Sequence, residues 1–415
     1  MREAVVVDMV RTPFGRAGQK GVFRDITHVE LVVPLLKAIV ERNRLDPARV
    51  DEIVMGSVGV AGVLTRSRHY LFEADLPFSI SATDMNKQCG SSLQALAQGA
   101  FAIMADMSDI VLAGGVETMD RIQPIPPGDE RNLQMEMVAE VMAREALPAG
   151  WPDAGRKPNW TPRWFQKLEP WIMDMGMTAE KLAQVKGIGR EDSDRFALDS
   201  HRKAVRVQGE GLFEAEIVPI TIEYSDGSKT VVDRDQCPRQ DTSLEKLAQL
   251  KPAFRPDGLV TAGNSSPRSD GASLALLMAK ETARELGVKP LATVRHAATV
   301  GVDPTIMGIG PVPATRKLLR RAGMSSDDFD LIEVNEAFAC QVLAVVQELG
   351  LDEAKLNVNG GAIAIGHPLG ASGARLVGTI AYEMARRDAR WGLVTLCMGG
   401  GMGMALALER ERYDW

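Results

Sequence analysis

The feature of the sequence that most constrains the fold is an internal repeat. The strand-like segments DEIVMGSV, from Asp51, and DLIEVNEA, from Asp330, are each followed by a helix start rich in small residues, at Cys89 and around His367. Each half continues with a strand that ends in glycines, DIVLAGG and GLVTLCMGGG, and then with a strand of small residues, SDGASLALLMAK and GMGMALALER. We therefore predict two copies of one five-stranded unit, whose face-to-face packing brings Cys89 and His367 together.

Strand-like and helix-like segments alternate along the chain, which is typical of an α/β fold. AVVVDMV precedes THVELVVPLLKAIVERN, and DEIVMGSV precedes the Cys89 helix. Glycine and asparagine recur where strands end, and the active sites of α/β folds tend to lie at that edge. We expect an N-terminal half at 1–121 plus 247–287, an inserted loop domain at 122–246 and a C-terminal half at 288–415.

The inserted segment breaks this pattern, because residues 145–175 are rich in proline, glycine and tryptophan. Four of the 6 tryptophans lie there: Trp151, Trp160, Trp164 and Trp171. A long insertion in a compact domain usually has a function. We expect a lid or a subunit contact, and the alternative is a surface for a long acyl chain or a weak membrane contact.

Composition excludes several classes of function. The net charge is −7 and no basic run exceeds a few residues, so we expect no nucleic-acid partner. No apolar run reaches the ~18 residues of a membrane span. The apolar stretch within MREAVVVDMVRTPFG is too short for a signal peptide, so the expected location is the cytoplasm.

The chain has 4 cysteines, and none is spaced like a zinc ligand or a paired thiol. The sequence therefore predicts no metal site and no disulfide framework. Each cysteine is either a small core residue or a reactive thiol. They are Cys89, Cys237, Cys340 and Cys397.

Cys89 is the best candidate for a nucleophile. It stands at a helix start, and the small residues Gly90, Ser91 and Ser92 leave its sulfur accessible to a substrate. A helix N-terminus carries unpaired N–H groups and a partial positive charge. We therefore expect the pKa of Cys89 to fall below its ordinary value of about 8.5. The alternative is a buried structural cysteine.

Three further residues have settings that suit catalysis. His367 lies in the glycine-rich stretch NVNGGAIAIGHPLGASG, where a histidine can act as a base or an oxyanion donor. That stretch lacks the Lys-Ser/Thr ending of a phosphate-binding loop. Cys397 precedes three glycines, whose amides can approach a ligand oxygen, and Asn335 of VNEAFA ends a strand.

Together, these motifs resemble the thiolase family. The resemblance runs over nearly the whole chain, through RTPFG, VTAGNSSPRSDGA, VNEAFA, GGAIAIGHPLGASG and CMGGGMG. It implies a duplicated αβαβα, five-layered fold with an inserted loop domain. It also implies the CoA-dependent thiolytic cleavage of a 3-ketoacyl-CoA to acetyl-CoA and a shortened acyl-CoA, or the reverse Claisen condensation, as an acetyl-CoA C-acyltransferase or C-acetyltransferase.

The resemblance also implies a role for each candidate residue. Cys89 would carry the acyl group as a thioester, and His367 would take its proton. Cys397 would serve as the second acid and base, acting on the α-proton of acetyl-CoA. Asn335 would position a water that joins His367 in one oxyanion hole. The backbone amides of Cys89 and Gly399 would form the other.

For substrate binding, the resemblance points to the stretches PRQDTSLEKLAQLKPAF and AGNSS. Arg239 would meet the phosphates or the adenine edge of CoA, Leu250 would pack on the adenine and Ser266 would bond to the pantetheine. Met175 and Phe338 would line the pocket. CoA and acyl-CoA would be substrates, with no permanently bound cofactor. The alternatives are a solvated loop position for Arg239 and core packing for Met175 and Phe338.

The chain departs from the family pattern at two positions and in the length of its inserted segment. Ser92 stands where thiolases usually have glycine, and Asp174 stands where short-chain thiolases carry a histidine. The long insertion suggests a longer or bulkier acyl chain, or a β-oxidation partner subunit. The resemblance further implies a homodimer or a dimer of dimers.

Two alternative functions differ in what they require of the site. A decarboxylating ketosynthase would carry a histidine or asparagine in place of Cys397. A non-catalytic acyl-CoA-binding, lipid-binding or scaffold subunit would have lost at least one residue of the set Cys89, Asn335, His367 and Cys397.

Overall fold

The structure, a computed structural model, describes residues 2–59, 65–119 and 174–415. The helices are α1 (His28–Arg42), α2 (Arg66–Glu73), α3 (Ser91–Met104), α4 (Met175–Lys186), α5 (Arg190–Gly209), α6 (Leu244–Ala248), α7 (Lys280–Glu285), α8 (Pro311–Ala322), α9 (Ala339–Leu349), α10 (Ala362–Ile365) and α11 (Ser372–Arg387). The strands are β1 (Ala4–Arg11), β2 (Gly15–Arg16), β3 (Glu52–Gly56), β4 (Ser81–Met85), β5 (Ile110–Thr118), β6 (Ile220–Glu223), β7 (Lys229–Val232), β8 (Ser269–Ala279), β9 (Ala292–Gly301), β10 (Leu331–Val334), β11 (Trp391–Met398) and β12 (Met402–Glu409).

The strand order shows the duplication that the sequence predicts. The N-terminal half runs β4-β3-β5-β8-β1 and the C-terminal half runs β10-β11-β12-β9. In the N-terminal half, β3 and β5 are parallel, and β8 and β1 then follow antiparallel. In the C-terminal half, β10 and β11 are parallel, and β12 and β9 then follow antiparallel. The counterpart of β4 in the second half is a single bridge between Ile332 and Leu356. The second copy therefore has four strands rather than the expected five.

The two halves meet through β1 and β9, which pair antiparallel at Val5 with Thr293 and Val6 with Ala292. Side chains alternate across each strand, so one strand serves two cores. Val5 of β1 packs with α1 and α2, whereas Val6 packs with α3 and α11. A bulge after Val6 shifts the register by one residue.

Because side chains point to both faces of each sheet, helices cover both faces and the fold has five layers. Helices α1 and α2 cover the outer face of the N-terminal sheet. Helices α8 and α9 cover the outer face of the C-terminal sheet. Helices α3 and α11 lie between the sheets, in a core that residues of both halves share. This central layer brings the two repeats face to face.

Helices α3 and α11 approach closely because glycine lies at their crossing. A Cβ on Gly373 would lie 2.4 Å from the backbone nitrogen of Leu93. A side chain there would force the two helix starts apart. The small residues that the sequence places at both helix starts therefore set the distance between the halves.

The described part of the inserted segment contains α4, α5, the β6–β7 hairpin and α6. Strand β8, which follows it, returns to the N-terminal sheet. The tryptophan-rich stretch up to residue 173 lies outside the described residues, and the division at 121, 246 and 287 stays a prediction. Within residues 2–59, 65–119 and 174–415, no helix is long and apolar enough to cross a membrane.

Candidate active site

Cys89 lies on the turn between β4 and α3, one residue before the N-cap Gly90. Gln88, before it, has a φ of 53°, in the left-handed region. The hydroxyl of Ser91 accepts the N–H of Lys87 at 2.9 Å and donates to the carbonyl of Gln88 at 2.6 Å. These local bonds hold the sulfur at a fixed place on a turn rather than inside the helix.

The pKa of Cys89 is raised to about 11, so the predicted lowering is wrong. Burial is the main cause, since a thiolate loses hydration there. The backbone amides of Gly399 and of Cys89 itself donate to the sulfur and lower the pKa, but by less, and the charge of Glu117 raises it. The two amides thus lower the pKa of Cys89, and burial outweighs them. Cys89 therefore rests as a thiol and needs a base.

His367 is the residue that the sequence predicts as that base. It lies between α10 and α11 and is 5% exposed. Its Nδ1 is 2.6 Å from the hydroxyl of Ser372, which itself donates to the carbonyl of Pro368 at 2.8 Å. Because the hydroxyl proton is used, Nδ1–H must donate to Ser372, and we assign the lone pair to Nε2.

Burial, and then the charge of Arg375, lower the pKa of His367 to about 3. The ring is therefore neutral at physiological pH and able to accept a proton. Its backbone N–H donates to the hydroxyl of Ser269 at 3.2 Å. Gly366 has a φ of 116°, and a Cβ on it would lie 2.6 Å from that hydroxyl, so this approach requires glycine.

Asn335 follows β10 and is fully buried. Its Nδ2 lies 3.4 Å from Nε2 of His367. Its Oδ1 is buried without a hydrogen-bond partner among the described residues. A buried acceptor of this kind usually faces a ligand or an ordered water. The role of Asn335 stays a prediction.

Cys397 comes near the end of β11, where it pairs with Gly403 and is 1% exposed. Burial raises its pKa, and Cys89 raises it further when ionised, so the two sulfurs lie close enough to interact. Gly399 begins the turn into β12, in which Gly400 and Gly401 have positive φ angles of 79° and 78°. This turn directs the amide of Gly399 at the sulfur of Cys89.

Two buried bonds hold the His367 loop and the helix after it against the N-terminal half, one from α3 and one from β5. Ser92 Oγ accepts the N–H of Ala374, in the first turn of α11, at 3.0 Å. Glu117 accepts the N–H of Gly370 at 2.9 Å. The hydroxyl of Ser92, at the position that departs from the family pattern, thus bonds to the first turn of the opposite helix.

The predicted pocket residues fall into two groups. Met175 and Phe338 pack in one apolar cluster with Cys397, and Phe338 also stacks edge-on against Phe254 at 6.2 Å. Ser266 bonds to the backbone carbonyl of Ala337, at 3.1 Å from its hydroxyl, beside that cluster.

Arg239 and Leu250 lie on the surface loops around α6, where both side chains are exposed. These positions suit contact with a ligand outside the catalytic centre. Asp174 caps α4, with its Oδ1 accepting the N–H of Gly176 at 2.9 Å. Cys340 is buried and Cys237 is half-buried.

Sequence reasoning missed Ser372, Ser269 and Glu117. Ser372 offered a signal, because it is a serine at a helix start one turn beyond the histidine loop. Glu117 follows the glycines of LAGGVE at the end of β5. Ser269 gave no local signal, since β8 contacts His367 only through the fold. In the part of the chain that the structure describes, no group of three or more His, Cys, Asp or Glu residues is arranged to hold a metal.

Comparison with known proteins agrees with this geometry. The thiolase N-terminal domain matches residues 4–158 and 165–281, and the thiolase C-terminal domain matches residues 288–410. The acetyl-CoA acetyltransferase of Chromobacterium violaceum is 43% identical over 411 residues, covering 98% of this chain and 100% of the relative. The 3-ketoacyl-CoA thiolase of Aliivibrio fischeri is 42% identical over 418 residues, covering 99% and 100%.

Solved structures agree as well. The crystal structure of the Bacillus anthracis acetyl-CoA acetyltransferase has a TM-score of 0.84 at 39% identity, over 99% of both chains. Human mitochondrial 3-ketoacyl-CoA thiolase has a TM-score of 0.83 at 34% identity, also over 99% of both chains. The predicted fold class is thereby confirmed. With both domain models matched along nearly its whole length, the chain belongs to the thiolase family.

Proposed function

We propose that this protein is a catalytically active thiolase. It would transfer an acyl group between a 3-ketoacyl-CoA and CoA through a thioester on Cys89. The observation that carries the proposal is the neutral His367, whose tautomer is fixed by Ser372, in a site that also holds Asn335, Cys397 and the amide directed at the Cys89 sulfur. A binding or scaffold protein would not need this arrangement.

In the first half-reaction, Nε2 of His367 takes the thiol proton of Cys89. The thiolate attacks the 3-keto carbonyl, and the carbon–carbon bond breaks as the tetrahedral oxyanion collapses to a thioester. The leaving acetyl-CoA enolate takes a proton from Cys397. Acetyl-CoA departs, leaving acyl-Cys89, a Cys397 thiolate and a protonated His367.

In the second half-reaction, Cys397 takes the thiol proton of incoming CoA. The CoA thiolate attacks acyl-Cys89 and releases a shortened acyl-CoA. The Cys89 thiolate then recovers its proton from His367, so every group returns to its initial state. A water positioned by Asn335 joins His367 in one oxyanion hole, and the amides of Cys89 and Gly399 form the other. Each donor is worth roughly 10²–10³-fold in rate.

Within this reaction class, we propose a 3-ketoacyl-CoA longer than acetoacetyl-CoA as the substrate. The support is Asp174, whose carboxylate caps α4 where short-chain enzymes are expected to carry a histidine. Acetyl-CoA C-acetyltransferase activity is the second candidate, supported by the acetyl-CoA acetyltransferases among its relatives. CoA would bind at Arg239, Leu250 and Ser266 as a substrate rather than a resident cofactor.

We also infer a cytoplasmic homodimer or dimer of dimers that acts in β-oxidation. The edge strand β4, whose outer side is unpaired in the described sheet, supports association with a second copy. Alternatively, the long insertion contacts a β-oxidation partner subunit.

A panel of 3-ketoacyl-CoAs, from four carbons to branched and sterol side chains, tests the proposal. We expect consumption only when CoA is added, with ping-pong kinetics and faster turnover of chains longer than four carbons. A preference for acetoacetyl-CoA would favour the acetyltransferase. Binding without turnover at every chain length would favour the non-catalytic alternative.

A further inference from the structure

Helix α5 carries an unusual stripe of buried and half-buried polar side chains. Arg190, Asp194 and His201 are spaced by four and seven residues, which places them on one face of the helix together with Ala197. Asp194 is 3% exposed and His201 is 5% exposed. Polar side chains buried on a helix are costly unless they have partners. The partners of this stripe all lie outside the helix, apart from the bond between Arg190 and Asp194.

His201 holds the loop that carries Arg239. The backbone N–H of Arg239 donates to Nδ1 of His201 at 3.2 Å. Burial, and then the charge of Arg239, lower the pKa of His201 to about 4. The ring therefore stays neutral and remains an acceptor at physiological pH. The Arg239 side chain itself stays exposed.

Arg190 holds the turn that follows α6. Its Nη2 donates to the carbonyls of Leu247 and Leu250, at 2.6 and 3.0 Å. Its Nε donates to Asp194 at 2.7 Å. The turn thus presents the side chain of Leu250, which is 37% exposed, at the surface.

Asp194 extends the stripe to a third loop. Its Oδ1 accepts the side-chain amide of Asn264 at 2.9 Å. The carbonyl of Asn264 accepts the N–H of Ala339, and the N–H of Ser266 donates to the carbonyl of Ala337, so this loop adjoins the catalytic strand end. One helix face therefore fixes the three loops on which Arg239, Leu250 and Ser266 lie.

We propose that His201, Arg190 and Asp194 are positioning residues for the CoA site, with His201 responsible for the nucleotide end through Arg239. The inference rests on the proposed function, because Arg239, Leu250 and Ser266 become CoA contacts only there. Loss of the His201 acceptor releases the Arg239 loop and weakens binding of the CoA nucleotide. The pantetheine end and the chemistry at Cys89 are unaffected.

The test compares two thiol acceptors in the thiolysis assay: CoA, and N-acetylcysteamine, which lacks the nucleotide. The variants are His201→Leu, which removes the acceptor, and His201→Asn, whose amide oxygen can occupy the Nδ1 position. Arg195→Gln, on the exposed face of the same helix, is the control. For His201→Leu we expect a KM for CoA about tenfold higher with kcat nearly unchanged, the fold-change expected when one hydrogen bond is lost. Both constants for N-acetylcysteamine should match the unmodified enzyme, and His201→Asn should recover most of the CoA affinity.

An unchanged KM for CoA in His201→Leu would overturn the inference. So would an equal loss with both thiols, because that pattern indicates a general structural role. Calorimetric titration of CoA into each protein separates this inference from the proposed function. If the unmodified protein binds CoA without turning over any ketoacyl-CoA, the proposed function fails, and the affinities of the two His201 variants still decide the role of His201.

Discussion

At the scale of single residues, the proposed reaction would depend on a general base more than on an acidic thiol. Burial raises the pKa of Cys89 and lowers that of His367, so the resting pair is a thiol and a neutral imidazole. Burial disfavours the thiolate of Cys89 and the imidazolium of His367, which is why the first pKa rises and the second falls. In the proposed reaction, the thiol proton of Cys89 would move only when a bound substrate consumes the thiolate.

The reaction of free enzyme with iodoacetamide tests this resting state. With a Cys89 pKa of about 11, the rate constant for alkylation should rise steadily between pH 7 and pH 10 without a plateau. The measurement is inactivation rate against pH, with the site of labelling mapped by mass spectrometry. A plateau that begins below pH 8 would show an acidic thiol and contradict this prediction.

Ser372 should matter because it fixes which nitrogen of His367 is basic. We expect Ser372→Ala to slow acylation of Cys89 at pH 7 about tenfold, the cost of one buried hydrogen bond. Alkylation by iodoacetamide at pH 10 should be unaffected, since hydroxide then supplies the reactive thiolate fraction without His367. Ser325→Ala, at an exposed turn, is the control. Acylation at the unmodified rate in Ser372→Ala would show that the tautomer is set elsewhere.

At the scale of elements, the close approach of α3 and α11 joins the two catalytic loops. Gly373→Ala should force them apart, since its Cβ would lie 2.4 Å from the nitrogen of Leu93. We expect a loss of stability of about 1–3 kcal/mol, typical of overpacking, and a lower kcat. Gly209→Ala at the end of α5, where a Cβ meets nothing within 4 Å, is the matched control and should be neutral or slightly stabilising. Thermal melting measures the stability and a turnover assay measures kcat. Equal values for Gly373→Ala and Gly209→Ala would contradict a close contact between α3 and α11.

The elements themselves were largely predictable from the sequence. The repeat predicted two copies of one unit, because strand-like segments, some ending in glycines, recur in the same order in both halves, and the strand orders match. The family assignment and the fold class were confirmed. The expected fifth strand of the second copy is only a single bridge at Leu356. The sequence could not reveal this, because strand length depends on pairing across the sheet.

The details of the site were less predictable, for physical reasons. The pKa of Cys89 depends on how far the fold buries it, which one helix start does not reveal. Ser92 and His201 act on backbone groups far along the chain, at Ala374 and Arg239. Such partners become visible only when the topology is known. The roles of the catalytic and CoA-contact residues remain predictions.

At the scale of the whole molecule, a buried ion cluster ties the inserted segment to the first strand. Arg11 of β1 is fully buried and bonds to Glu216 at 2.9 Å and to Asp235 at 2.7 and 2.9 Å. Arg11→Met leaves two carboxylates buried without their cation, which should cost about 3–5 kcal/mol.

Chemical denaturation measures that cost. Arg24→Met is the control, because the pair of Arg24 with Asp25 is exposed and should contribute less than ~1 kcal/mol. If both variants unfold at the denaturant concentration of the unmodified protein, the ion cluster is not what holds the inserted segment in place.

The central claim is that Cys89 carries the acyl group, and peptide mass spectrometry after brief incubation with an acyl-CoA tests it most directly. We expect one acyl mass on Cys89, removed when CoA is added, absent in Cys89→Ala and still formed in Cys397→Ala. An acyl group on Cys397 with Cys89 unmodified, or a label that CoA does not discharge, would contradict the account.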